Sequence, residues 1–176
     1  MIARWRLALM LFSLIVSVAP AISADGTVTV TGEVLLETCT INAGFPSFAV
    51  TLPTLATSAF TGIGSTAGGT RFSIALTNCT GPASKVNTYF EYGSTINAEG
   101  RLINQTAGGA SVDGQIQNAT GGAVNLSASY DSQNTTPTAI SSQSATQNYL
   151  IAYYANALPV TAGGFSSSVV YTLIYQ

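Results

Sequence analysis

The sequence predicts an all-β fold, a two-sheet sandwich of immunoglobulin-like type, and three observations predict it. Apolar and polar residues alternate with period two in short runs rich in β-branched and aromatic side chains. Glycine pairs and Asn/Ser/Thr clusters separate those runs. No stretch carries the spacing of a helix of any length.

The chain opens with an export signal. Arg4 and Arg6 precede an apolar run over 7–19, and Pro20-Ala21-Ile22-Ser23-Ala24 supplies a small-residue exit. A positive start and an apolar run too short to span a membrane comfortably mark residues 1–24 as a signal peptide, cut after Ala24 or Ser23. No later stretch is apolar for long enough to cross a bilayer, so no membrane insertion is expected once it is removed. The remaining 152 residues make one domain with a real core, preceded by an arm over 25–37; the domain itself is placed at 38–176.

After the signal, Arg71, Lys85 and Arg101 stand against seven acids, a net charge of −4. That balance argues against nucleic acid and anionic membranes as partners, since both need clustered Lys/Arg. Only 7% of the chain is charged while 47% is hydrophobic. Such a surface is weakly protected against self-association. It suits a subunit surrounded by copies of itself, and equally a secreted domain with a neutral polar surface. Cys39 and Cys79 form the one cysteine pair. In an oxidising compartment it is most simply a disulfide, worth about 4 kcal/mol in the chain-entropy treatment. A redox role lacks CxxC spacing and a cation to lower a thiol pKa.

The strands are expected in order. Thr27-Val28-Thr29-Val30-Thr31 alternates, as does Arg71-Phe72-Ser73-Ile74-Ala75-Leu76. The run 86–92 holds Tyr89, Phe90 and Tyr92; 101–103, 115–117 and 124–126 are shorter; 149–154 and 165–175 close the chain. Gly68-Gly69, Gly108-Gly109, Gly121-Gly122 and Gly163-Gly164 are read as turns between strands, where positive φ is needed. None has a P-loop lysine or opens a helix, so phosphate binding is not expected.

Enzyme chemistry finds no residues to work with. The chain has no histidine, which removes the commonest base and metal ligand and every Ser-His-Asp or Cys-His arrangement. A zinc or copper site would compete with the disulfide for Cys39 and Cys79. Glu91 and Glu99 could form a glycosidase pair but are expected to be solvated beside turns. Asp113 and Asp131 lack a calcium-loop motif. The Asn-x-Ser/Thr triplets at Asn104, Asn118, Asn125 and Asn134 are expected by chance in an Asn- and Thr-rich chain. No catalytic residue, metal or cofactor is assigned.

Two segments at opposite ends of the mature chain carry the functional reading. In the arm, Gly26, Val28, Val30, Gly32, Val34 and Leu36 share one face, while Thr27, Thr29, Thr31 and Glu33 share the other. Alternation alone favours a first strand of the chain's own domain; the arm's position ahead of Cys39 also lets it leave. At the other end, Val169, Tyr171, Leu173 and Tyr175 share a face that runs to the last residues. A sandwich ending on an apolar strand, short of a further one, would expose a groove and an unpaired edge. An alternating arm from another copy could fill it by β-strand addition.

From 26 onward the chain resembles type 1-like fimbrial pilins of the chaperone–usher class. The matching residues are Gly26-Thr27-Val28-Thr29-Val30-Thr31-Gly32-Glu33-Val34, Cys39-Thr40-Ile41, Val50-Thr51-Leu52-Pro53, and the run from Phe72 to Cys79. Near the end come Gly163, Tyr171, Leu173 and the penultimate Tyr175. The resemblance implies an incomplete immunoglobulin-like sandwich lacking its last strand. It implies that a periplasmic chaperone lends a strand and that an outer-membrane usher exchanges it for the next subunit's arm. Val28, Val30, Gly32 and Val34 would enter the neighbour's groove. Gly163, Tyr171, Leu173, Tyr175 and Gln176 would form the groove edge that the chaperone engages, with the Gln176 carboxylate held by basic chaperone residues. The implied partners are copies of itself and other pilins, the chaperone and the usher, and the implied location is the cell-surface fimbrium. Gly26 departs from the pattern by leaving the arm's outer end without bulk. A minor adaptor pilin and a secreted monomeric β-sandwich binding module are the alternatives.

Overall fold

The computed structural model describes residues 28–32 and 38–176, in two units, 1–33 and 34–176. In the first unit, residues 28–32 have no regular secondary structure, and Val28 and Val30 are 88% exposed. The assigned signal peptide, and Gly26 and Val34 of the arm, lie outside the described residues.

The described residues of the second unit form seven strands: β1 (Thr38–Ile41), β2 (Thr66–Thr80), β3 (Lys85–Glu91), β4 (Asp113–Asn118), β5 (Thr138–Ala139), β6 (Ala145–Tyr154) and β7 (Val170–Tyr175). They form two antiparallel sheets, ordered β1-β2-β6-β4 and β5-β3-β7. The described residues contain short 3-10 turns and no α-helix.

Period two explains why the sheets face each other. On β2, Phe72, Ile74 and Leu76 point inward between exposed Arg71, Ser73 and Thr77. Val86 and Phe90 of β3, Ile116 of β4, and Tyr149 and Ile151 of β6 meet them in one core. Aromatic contacts order it: Tyr149 stacks on Phe72 at 5.5 Å and takes Phe90 edge-on at 5.1 Å. Cys39 and Cys79 are joined in a disulfide that ties β1 to the end of β2.

The punctuation differs from expectation in one instructive place. Gly68-Gly69 is not a turn; it lies inside β2, where the register with β6 shifts between Ala67 and Thr70. Gly68 has φ +70°, and a Cβ there would sit 2.9 Å from Leu55 and 3.1 Å from Tyr153. A bulge with a left-handed glycine accounts for the pair, and it lets β2 run for 15 residues. Residues 101–103 and 124–126 are not strands. Leu102 makes isolated bridges to Ile96 and Gly114, and the Val124 amide donates to Ile116 O. Leu102, Val124 and Leu126 are buried, so the alternation reflects burial without a ladder. Of 165–175, only Val170–Tyr175 is a strand.

Three of the four Asn-x-Ser/Thr triplets have a folding role. The Oδ1 atoms of Asn104, Asn118 and Asn125 accept from the amides of Thr106, Thr120 and Ser127, two residues on. These are Asx turns, which the side chain stabilises in place of the backbone.

Candidate functional site

The site begins where β1 ends. Asn42, Ala43 and Gly44 have φ of +44°, +55° and +94°, three left-handed residues in succession. Asn42 Oδ1 accepts from the Ala75 amide at 2.8 Å, which pins the kink to β2. The chain then runs through 46–56, where Val50 and Leu52 pack on the core and most other residues are exposed. No amide in 46–56 donates a hydrogen bond among the described residues. Its accepting carbonyls are those of Pro46, Pro53 and Ala56, bonded by Tyr171 Oη, Tyr153 Oη and the Ala59 amide.

The second wall is the C-terminal segment. β7 pairs with β3 along one side, from Val86↔Tyr175 to Glu91↔Val170. It is the last strand in the order β5-β3-β7. Phe165, Ser167, Val169, Tyr171, Leu173 and Tyr175 form a row that is neither buried nor fully exposed, with exposed Ser166, Ser168, Val170 and Thr172 between them. Val169, Tyr171, Leu173 and Tyr175 lie against the same core as Val50 and Leu52. The Tyr171 hydroxyl reaches Pro46 O at 2.7 Å, so the two walls adjoin. Burial holds the Tyr171 hydroxyl above its ordinary pKa.

By contrast, the β4 edge of the other sheet is covered. Its groups bond to Leu102, Gly122 and Val124. The β7 side of one sheet and the 46–56 stretch therefore lie together, over an apolar floor.

Gly163 opens the C-terminal segment and is held by backbone. A Cβ on it would lie 2.5 Å from the Ala110 amide nitrogen and 2.6 Å from Gly109 carbonyl carbon. Asn104 fastens the same place: its Nδ2 donates to Ala110 O and Gly164 O, and its Oδ1 accepts from the Ser166 amide. At the other end, one terminal oxygen of Gln176 accepts from the Ser84 and Lys85 amides at 2.8 and 2.9 Å. The side chain of Gln176 donates to Tyr130 Oη.

Of the predicted donor residues, Val28 and Val30 are exposed and Gly32 stands in open space. The carboxylates weighed for catalysis sit apart from the groove floor. Glu91 ends β3 and accepts from Thr172 Oγ1, while exposed Glu99 faces Arg101 at 3.7 Å. Asp131 is bonded by Ser129 and Ser132, which lower its pKa. No group of three metal-ligating residues occurs among the described residues.

Sequence reasoning missed one charged centre. Asp113 is buried and takes Arg101 Nε at 3.1 Å, Asn97 Nδ2 at 3.0 Å and Asn156 Nδ2 at 2.9 Å. The Arg101 guanidinium also lies 4.2 Å above the Tyr154 ring. These partners tie residues 97–101 and Asn156 to the start of β4, and nothing local in the sequence pairs them.

Comparison with known proteins bears on this arrangement. The family model described as Fimbrial protein matches residues 26–176. The major fimbrial subunit SMF-1 of Stenotrophomonas maltophilia strain K279a is 40% identical over 167 residues, 88% of this chain and 94% of the relative. The F17 fimbrial protein of Escherichia coli is 34% identical over 167 residues, 91% of this chain and 92% of the relative. Among solved structures, the P pilus rod subunit PapA superposes with a TM-score of 0.58 at 20% identity, over 78% of this chain and 99% of that one. A chain from a chaperone–usher pilus solved to explain rod uncoiling gives 0.59 at 22%, over 90% and 100%. At such identities these two structures show the fold alone.

Proposed function

Since the chain belongs to the fimbrial protein family, and is thus a structural subunit of a cell-surface fimbria and no enzyme, we propose that it forms the shaft and polymerises by donor-strand exchange. Residues 1–24 direct export, 25–37 are the donor arm, and 38–176 are the domain that receives the arm of the next copy. A periplasmic chaperone fills the groove first, an outer-membrane usher presides over the exchange, and the finished filament contributes to adhesion.

One observation carries the reading. Among the described residues β7 is the last strand of its sheet and no amide of 46–56 donates a hydrogen bond, and these two flank a row of half-exposed apolar side chains. An extended segment laid between them can pair with main chain on both sides and cover the floor. The arm has the chemistry for it. Val28 and Val30 present apolar side chains that its own chain leaves exposed. Gly32 fits where a side chain has no room, and Val34 completes the set. Gly163, Tyr171, Leu173, Tyr175 and Gln176 make the edge to which chaperone and donor bind in turn. Each exchange replaces one set of strand contacts by a better one, so the subunit needs no nucleotide.

The test compares two periplasmic chains, one lacking 25–37 and one carrying that segment after Gln176 through a flexible linker. The reading expects only the second to be soluble, monomeric and strongly stabilised in thermal melts. Equal stability as monomers would remove the groove and with it the exchange mechanism.

A further inference from the structure

We propose that Tyr171 is a positioning residue that holds the 46–52 wall at the spacing an incoming strand requires. The proposal rests on the donor-strand reading above and adds to it the device that keeps the groove in shape. Residues 46–56 donate no main-chain hydrogen bond among the described residues, so their placement depends on side chains. Val50 and Leu52 anchor the middle of the wall in the core, and Phe48 meets Phe72 at 6.1 Å. Toward its start, the kink at 42–44 is fixed by Asn42, but Phe45 and Phe48 beyond it are 73% and 42% exposed. Among the described residues, the one hydrogen bond to 46–52 is that from Tyr171 Oη to Pro46 O, and it comes from the opposite wall.

A bond across the two walls does what neither could do alone. An unfastened wall has to be ordered when the strand arrives, and that cost is subtracted from binding. A wall already fastened to β7 leaves less to be ordered. Tyr171 thus acts through residues 46–52 on the strand, beside any apolar contact its ring makes.

The experiment refolds the full chain and its Tyr171→Phe variant with a fluorescent peptide of residues 25–37, reading capture by anisotropy. A second readout is chymotryptic cleavage after Phe48 without peptide. Removing one hydroxyl keeps the ring and its packing. Tyr171→Phe is expected to weaken capture about 2- to 10-fold, the worth of one hydrogen bond, and to speed cleavage after Phe48. Capture and cleavage equal to wild type, or tighter capture, would overturn the positioning role while leaving donor-strand uptake intact. If the wild-type chain captures no peptide, donor-strand uptake itself fails, and the positioning role fails with it.

Discussion

The side chain of Gln133 stands in for a strand against Phe90. Its Nε2 donates to Phe90 O at 2.6 Å and its Oε1 accepts from Phe90 N at 3.0 Å, across 43 residues of sequence. β5 covers only Lys85 and Val86 of β3, so the far end of that edge would otherwise be buried without partners. Gln133 is itself fully buried and also bonds Leu126 O and Ala128 O. β3 is the strand on which β7 is laid, so the groove rests on this amide.

Gln133→Ala is therefore expected to destabilise the domain by about 3 kcal/mol, because it orphans a buried donor and acceptor at once. Gln133→Leu should be no better, since volume is restored but the bonds are not. Urea unfolding of the strand-completed chain checks both. A loss below 0.5 kcal/mol, on the order of an ordinary surface change, would show that Phe90 finds other partners.

Asp113 and Arg101 predict a different signature. With side chains 7% and 15% exposed, the pair has lost most of its water. Removing one member leaves a buried charge, so Asp113→Asn is expected to cost about 3 kcal/mol. The double variant with Arg101→Met should recover part of that loss, since an apolar replacement carries no orphan. A double-mutant cycle in guanidinium gives the coupling, and simple additivity would contradict it.

Burial raises the hydroxyl pKa of Tyr149 above its ordinary value of 10, and those of Tyr153 and Tyr171 likewise. A group whose folded pKa exceeds its unfolded one lends stability that is complete below the unfolded value and lost as pH rises toward the folded one. Stability is expected to be flat in this respect below about pH 9 and to fall above about pH 10. Tyr149→Phe should flatten the alkaline limb, as judged by thermal melts with absorbance of ionised tyrosine followed in parallel.

Gly163→Ala is expected to loosen the start of the C-terminal segment, because the added methyl would overlap the Gly109–Ala110 backbone. Backbone must move, and the cost is about 1–3 kcal/mol. Amide exchange should quicken first at Ala110 and Ser166, which bond Gly164 O and Asn104 Oδ1. Protection unchanged at both amides would place the strain elsewhere.

These relationships also explain what could be read in advance. Phe72, Ile74 and Leu76 announce an inward strand face through local alternation, and Tyr171, Leu173 and Tyr175 do the same. Local pattern does not carry the partner of a buried polar group, so Gln133 with Phe90 and Asp113 with Asn156 were invisible. Gly68-Gly69 misled because a glycine that permits a turn also permits a bulge, and only the register with β6 distinguishes them. Gly163 stands out in the sequence only through the family resemblance, while its neighbour across the chain, Ala110, carries no sequence signal at all.

Val30 separates the chain's own stability from its assembly. It is 88% exposed, so Val30→Asp should shift the stability of its own domain by less than about 0.5 kcal/mol. In a neighbour's groove the same side chain would be buried, where a valine gains about 1.5–3 kcal/mol and an unpaired carboxylate is strongly disfavoured. A 25–37 peptide carrying Val30→Asp is thus expected to lose more than about 100-fold in capture, the arithmetic of about 3 kcal/mol. Thr29→Asp, on the arm's other face, should lose far less. Equal losses from the two would mean that the arm's alternation does not decide which face enters the groove.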